Sequence, residues 1–268
     1  MCVIVRPADR VRRTRHGLAI FFLFTALCMS GSAVADDWRW EISPYLWAAD
    51  LGIDVSIRDT QVVDTEITFD ELLEGIELAG QVHVEAQKGR HGALLDVFLV
   101  QLADEQDVDL PAGLPATAAR FDSETTMAIV DLAGLYDPGG EDPGVSFKYG
   151  ARILQQSLDL DATFDLAAGG SATRHFETDD VLVDALVGIR YELPLTARLR
   201  LLLGADVSTG DTEMTWSAGG YLSLALGDSG RYALSGGYRY MDIDFDTEDD
   251  VDASQTLSGL GIGLIIAF

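Results

Sequence analysis

Leu257-Ser-Gly-Leu-Gly-Ile-Gly-Leu-Ile-Ile-Ala-Phe268 sets a large apolar residue at every second position. Leu260, Ile262, Leu264, Ile266 and Phe268 fall on one face. Gly259, Gly261, Gly263 and Ala267 fall on the other, with Ile265 the exception. A period of two is the signature of a β-strand. The apolar face runs without a charge for roughly 17 Å at about 3.4 Å per residue. A terminal strand of a soluble sandwich would carry such a face inward. An uncharged face of this length also suits a strand whose outer side meets lipid.

The opposite end of the chain agrees with the second reading. Arg6, Arg10, Arg12, Arg13 and Arg15 form a basic start, Gly17 to Met29 an apolar core, and Ala33-Val34-Ala35 a small-x-small cleavage motif. Residues 1–35 therefore read as a secretory signal peptide and 36–268 as one barrel domain. Leu27 stands where a lipoprotein signal would need a small residue before Cys28, so lipidation is not expected.

The chain has 18 Lys and Arg against 44 Asp and Glu, a formal net charge of −26. The leader carries five of those Arg and only Asp9, so the remainder is more acidic still. Such acidity argues against a nucleic-acid partner. Both cysteines, Cys2 and Cys28, lie in the leader, which excludes a disulfide framework and thiol chemistry beyond it. Apolar residues make up 48% of the chain, too many for a disordered acidic protein.

Alternation recurs along the whole domain. It predicts strands opening at Trp38, Ile76, Ala93, Ser123, Phe147, Val181, Leu199, Met214, Tyr232 and Leu257. Long acidic connections are expected after Ile57, over Asp104 to Ala118, over Asp161 to Asp180 and over Asp244 to Asp252. Thr68 with Glu71 three residues on predicts one helical turn in the first of these. Ten strands place every long connection on one side and both termini on the other, as in outer-membrane barrels. The fold expected is all-β, an antiparallel up-and-down transmembrane β-barrel of about ten strands, with eight or twelve as the neighbouring counts. Trp38, Trp40, Tyr136, Phe147, Tyr149, Tyr191, Tyr232 and Phe268 then form an aromatic girdle on the periplasmic side.

Several segments carry a resemblance. Ser43-Pro-Tyr-Leu-Trp47, Asp184-x-x-x-Gly188-x-Arg190-Tyr191, Gly204-x-Asp206, Gly237-Tyr-Arg-Tyr240 and the Gly-rich strand ending in Phe268 resemble a family of proteobacterial outer-membrane β-barrel proteins. Its members are mostly uncharacterised, so the resemblance implies location and fold and little mechanism. Val-Ser-Thr-Gly after Asp206 departs from it in being less Gly-rich. The last strand is similar to the C-terminal signal of such barrels, which implies the outer-membrane assembly machinery as a partner that reads Phe268.

The inward positions collect Glu85, Asp96, Asp131, Lys148, Arg152, Asp184, Arg190, Arg198, Arg200, Asp206 and Arg239. In a narrow bore these charges should pair, because an unpaired buried charge is costly. A charge-plugged scaffold is the leading expectation. A narrow channel or binding pocket for small anionic solutes, gripped by Arg190 and Arg239, is the alternative. An adhesin or an omptin-like surface hydrolase is the third class. For the hydrolase only His175, beside Glu177, Asp179 and Asp180, lies at the right end, and no Gly-x-Ser-x-Gly elbow occurs. No catalysis is expected. Asp242 to Asp252 is dense in carboxylates, so divalent cations and lipopolysaccharide phosphates are candidate partners beside membrane lipid. No Gly-x-x-x-x-Gly-Lys loop or Cys/His cluster suggests a cofactor or metal site.

Overall fold

The computed structural model describes residues 38–57, 60–109, 116–140, 144–166, 170–227, 229–245 and 251–268. Residues 1–35, expected as a signal peptide, lie outside the described residues. The chain is a closed antiparallel β-barrel of ten strand positions. β1 (Arg39–Ile57) begins it, followed by β2 (Thr60–Ile67), the helix α1 (Phe69–Gly75) and β3 (Ile76–Lys88). Next come β4 (His91–Asp109), β5 (Ala116–Tyr136), β6 (Val145–Leu166) and β7 (Ser171–Pro194). β8 (Leu199–Gly210), β9 (Thr212–Leu226), β10 (Tyr232–Phe245) and β11 (Val251–Ala267) complete the circuit.

Each strand from β3 to β11 pairs with its neighbour in sequence, and β11 returns to β1 from Glu41↔Ala267 to Ile57↔Val251. The Trp40 and Phe268 backbones exchange hydrogen bonds at the terminal end of that closure. No strand is left there with an open edge, which is how a barrel satisfies its own backbone.

Eleven segments fill ten positions because β2 and β3 share one. β1 faces β3 from Arg39↔Gln87 to Pro44↔Val82, and β2 from Leu51↔Ile67 to Ile57↔Thr60. From Tyr45 to Asp50, β1 has no strand partner on that side among the described residues. The helix sits above this gap. Its expected capping box is formed: the Thr68 backbone N–H and hydroxyl both donate to the Glu71 carboxylate, at 2.9 and 2.8 Å.

Three long connections expected as loops carry strand: β2 lies in the first, and the two others extend their flanking strands. β4 and β5 stay paired out to Asp109↔Ala118, and β6 and β7 to Asp165↔Ser171. The residues alternate Thr, Phe and Ala with acids, so both faces tolerate water while the backbone ladder continues. Phe121 against Phe164, edge-to-face at 6.3 Å, and Thr163 against Thr173 hold these extensions together.

The burial pattern is inverted relative to a soluble protein. Leu132, Val187, Leu234, Leu260 and Ile262 are among many large apolar residues exposed on the outer face, Leu260 at 68%. The terminal strand turns its glycines inward, as the alternation requires. A Cβ at Gly259 would lie 1.8 Å from the Ala48 carbonyl oxygen, so only glycine lets β11 close on β1 there. Gly259→Leu is expected to cost about 1–3 kcal/mol or more through this overpacking. It should lower the urea midpoint of the folded barrel in detergent, followed by its heat-modifiable electrophoretic mobility. Gly80→Ala, where an added Cβ meets nothing within 4 Å, should leave the midpoint unchanged.

Candidate functional site: the barrel lumen

Inward alternation brings the charged residues of separate strands to one level of the bore, in two groups. Arg152 of β6 is fully buried. Its Nε and Nη2 donate to the two oxygens of Asp131 on β5, at 2.7 and 2.8 Å, and Nη2 also reaches Asp206 of β8 at 2.9 Å. Lys148 lies 2.6 Å from Asp206 and 3.4 Å from Asp131. Two cations thus meet two carboxylates. Gly188 makes room for Asp206, since a Cβ there would fall 2.7 Å from the Asp206 Cβ.

The second group spans the bore. Arg190 of β7 grips Glu85 of β3 through a fork, Nη1 at 2.6 Å and Nη2 at 3.0 Å. Such a bidentate pair fixes both side chains in orientation. His83 lies 3.0 Å from Asp96 and 3.5 Å from Glu85. The Tyr45 hydroxyl donates to Asp96 at 2.8 Å. Arg239 is held least tightly, 3.9 Å from Asp96, with its guanidinium 4.8 Å from the centre of the Trp47 ring.

Asp184 does not join either group. It is buried and accepts from Ser208, from the Thr212 hydroxyl and from the Thr212 backbone N–H, at 3.0, 2.6 and 3.0 Å. These bonds tie the tight β8–β9 turn, and they supply the carboxylate with partners that Arg152, directly across the ladder, gives to Asp131 instead. Arg200 pairs with Glu192 at 3.0 Å rather than with a carboxylate of either group. The girdle residues Trp38, Trp40, Tyr136, Phe147, Tyr149, Tyr191, Tyr232 and Phe268 are all exposed. Arg231 covers the Phe268 ring at 5.4 Å.

Alternation alone misses the layers packed on either side of these charges. Trp47, Phe98, Met127, Ile129, Leu154, Met241, Ile243 and Leu257 point inward and are buried against one another on the side away from the termini. Leu94, Ala133, Leu135 and Leu186 form a smaller cluster. The sequence carries a trace of this: Val97-Phe98-Leu99-Val100 and Met127-Ala128-Ile129-Val130 are unbroken apolar runs, as a strand apolar on both faces produces. Tyr45 and His83, inward by parity, also join the charge layer.

Outside the belt of outward apolar residues, which on β6 ends at Ile153, an acidic surface begins. The His175 Nδ1 lies 3.0 Å from Asp161 and 3.3 Å from Asp159, and Nε2 lies 3.7 Å from Glu177. Donor atoms of Asp159, Asp161 and His175 lie within 4.8 Å of one another, a spacing that could admit a cation. Each is about half exposed, and an imidazolium serves the same carboxylates. Of the acidic stretch after Asp242, residues 246–250 lie outside the described residues. Asp242 itself accepts from Thr256 at 2.8 Å and from Tyr240 at 3.2 Å.

No protein-family model matches the chain, and no curated protein matches it in sequence. The fold does match solved structures. The outer membrane protease OmpT from Escherichia coli superposes with a TM-score of 0.52 at 9% identity, covering 88% of this chain and 98% of that one. The monoaromatic hydrocarbon channel CymD gives 0.38 at 8% identity, covering 87% and 88%, and the toluene transporter TodX of P. putida 0.34 at 10%, covering 87% and 90%. The chain has the fold of outer-membrane β-barrels. At these identities the likeness extends to the fold alone.

Two outcomes follow from this geometry. Arg152→Ala leaves Asp131 and Asp206 facing each other with only Lys148 between them, and should destabilise the barrel by about 3–5 kcal/mol in equilibrium unfolding. A loss below about 1 kcal/mol would show that the layer is not a closed ion-pair network. The His175 imidazole is held above the ordinary histidine value, first by its bond to Asp161 and then by the Asp159 charge. Because the folded value is raised, this contribution is complete below about pH 6.5 and disappears as pH rises through the folded value. NMR titration of the His175 ring should give a midpoint above that of an exposed histidine, and Asp161→Asn should bring it down.

Proposed function

We propose that this protein is an integral outer-membrane β-barrel with a structural or scaffold role, its lumen closed by the charge layer and the apolar packing around it. The observation that carries the reading is the outward belt. On β6 it runs from Val145 through Phe147, Tyr149 and Ala151 to Ile153; on β7 from Val181 to Tyr191; on β11 from Leu260 to Phe268. Each belt is about 9–11 residues long, the length a tilted strand needs to cross a bilayer. An exposed apolar surface of this extent has no place in water.

Closure of the bore is supported by the burial of side chains that point into it. Arg152 is fully buried, and Trp47 and Leu154 are each 2% exposed. Of the two residues that could grip an anion, Arg190 is committed to Glu85 through its fork, while Arg239 lies 3.9 Å from Asp96 and against the Trp47 ring. A role without catalysis is favoured by two histidines: His83 is tied to Asp96 and Glu85 inside the bore, and His91 packs against Tyr136. His175, beside Asp159, Asp161 and Glu177 on the outer acidic face, is the histidine that a water-activating surface hydrolase would have to use. Above the belt, the paired β4–β5 and β6–β7 extensions would present the acidic surface to the medium, where divalent cations and lipopolysaccharide are its natural partners.

The test is conductance of the refolded 36–268 protein in a planar bilayer, with Arg190→Ala and Arg239→Ala beside it. The parent is expected to be silent, and Arg190→Ala, which breaks the fork across the bore, to give the first current steps. Stable steps in the parent, with selectivity altered by either substitution, would overturn the scaffold reading in favour of a narrow anion path.

A further inference from the structure

The wall has one place where strand does not pair with strand. β1 parts from β3 beyond Pro44↔Val82 and meets β2 only from Leu51 onward. Between these points the Gln81 side chain stands in for a strand backbone. Its carboxamide oxygen accepts from the Trp47 N–H and its amide donates to the Trp47 carbonyl at 3.5 Å. Higher up, the Phe69 N–H at the start of α1 donates to Asp50 at 2.7 Å. Two side chains therefore bridge a span that a ladder would otherwise hold.

The rims of this seam are apolar on the outer face: Leu46 at 44% and Leu78 at 38% exposed, with Ala48 and Gly80 beside them. Gly80 leaves open space where a Cβ would sit. Directly behind lies the apolar lumen layer, whose Trp47 and Phe98 rings meet edge-to-face at 5.6 Å. Phe98 is in register with Gln81. The buried Trp47 Nε1 has no acceptor, an unmet donor within this packed layer, beside the Arg239 guanidinium that lies over its ring. Met127 and Met241 belong to the same layer, and unbranched thioethers repack readily around a guest.

We propose that the β1–β3 seam is a side port that admits an acyl chain of the surrounding lipid onto the Trp47–Phe98 layer, with Gln81 as its latch. This inference rests on the membrane reading above. Asp50, the first acid on the outer face of β1, sets the seam at the edge of the apolar belt, the depth at which lipid ester oxygens lie. Such an oxygen would satisfy the Trp47 N–H while the chain packs inward. The axial way to the termini is closed by the charge layer, so the guest enters and leaves sideways.

Single-tryptophan proteins in vesicles of phosphatidylcholine brominated on its acyl chains test this. One keeps Trp216, on the outer face, and the other keeps Trp47; phenylalanine replaces the remaining three tryptophans. Bromine should quench Trp216 in every variant, which reports insertion. It should also quench Trp47, and Gln81→Ala should deepen that loss. Ala48→Cys with Gly80→Cys, bridged by a bifunctional thiol reagent and verified by mass spectrometry, should restore Trp47 emission. Gly80→Phe, which covers the seam without a crosslink, should act in the same direction. If Trp216 is quenched while Trp47 emission is unmoved by bridge, cover and latch variants alike, the port is overturned and the membrane reading stands. If Trp216 is not quenched, both readings are overturned.

Discussion

The ladder between β1 and β11 is the constraint on which the rest depends. Until Glu41 meets Ala267 and Leu51 meets Leu257, the ten strand positions form an open sheet with two free edges. Closing it removes both edges and at the same time creates an inside. Everything distinctive about the side chains follows from that division: what points outward is apolar for most of the wall's height, and what points inward must fill a bore of fixed radius. The glycines of β11 are the local condition for closure, since Gly259 and Gly263 allow the β1 backbone and Tyr45 to approach.

Filling the bore poses an electrostatic problem, and it is met by stoichiometry and geometry together. Asp131, Asp206, Arg152 and Lys148 satisfy one another across three strands, and Glu85, Arg190, Asp96 and Arg239 do so across the bore. Ion pairs of this kind contribute little net stability once desolvation is counted, but losing one member is costly. Their worth here is in register, because a fork such as Arg190–Glu85 fits only one relative placement of β7 and β3. The apolar layers pack on either side of the pairs. The same layer, behind a wall that parts at Pro44, is what makes the seam more than an irregularity.

Much of the architecture was legible from alternation. Period two identified which face of each strand points outward, and the spacing of turn residues yielded ten positions and the short connections at the terminal end. What alternation could not give was the height of the wall. The Asp161–Asp180 stretch is polar on both faces, so it carries no hydrophobic period, and only pairing through Thr163–Thr173 and the aromatic pair reveals it as sheet. The charge layer was legible as a set of inward residues but not as pairs, because the shear of a barrel decides which levels coincide. Asp184 shows this: parity sets it inward beside Arg152, and a tight turn takes it elsewhere. The apolar lumen layer went unread because its residues lie next to outward apolar ones, and a doubly apolar run has no period.

The account stands on the outer face of the wall meeting hydrocarbon while the inner face does not. Spin labels placed singly along β6 from residue 145 to 157, in vesicles, measure this through collision with oxygen and with a water-soluble nickel chelate. The account predicts oxygen-dominated collisions at 145, 147, 149, 151 and 153, protected labels at the even positions between them, and chelate-dominated collisions from 155 onward. Chelate access at the odd positions below 153, or no alternation at all, would contradict it.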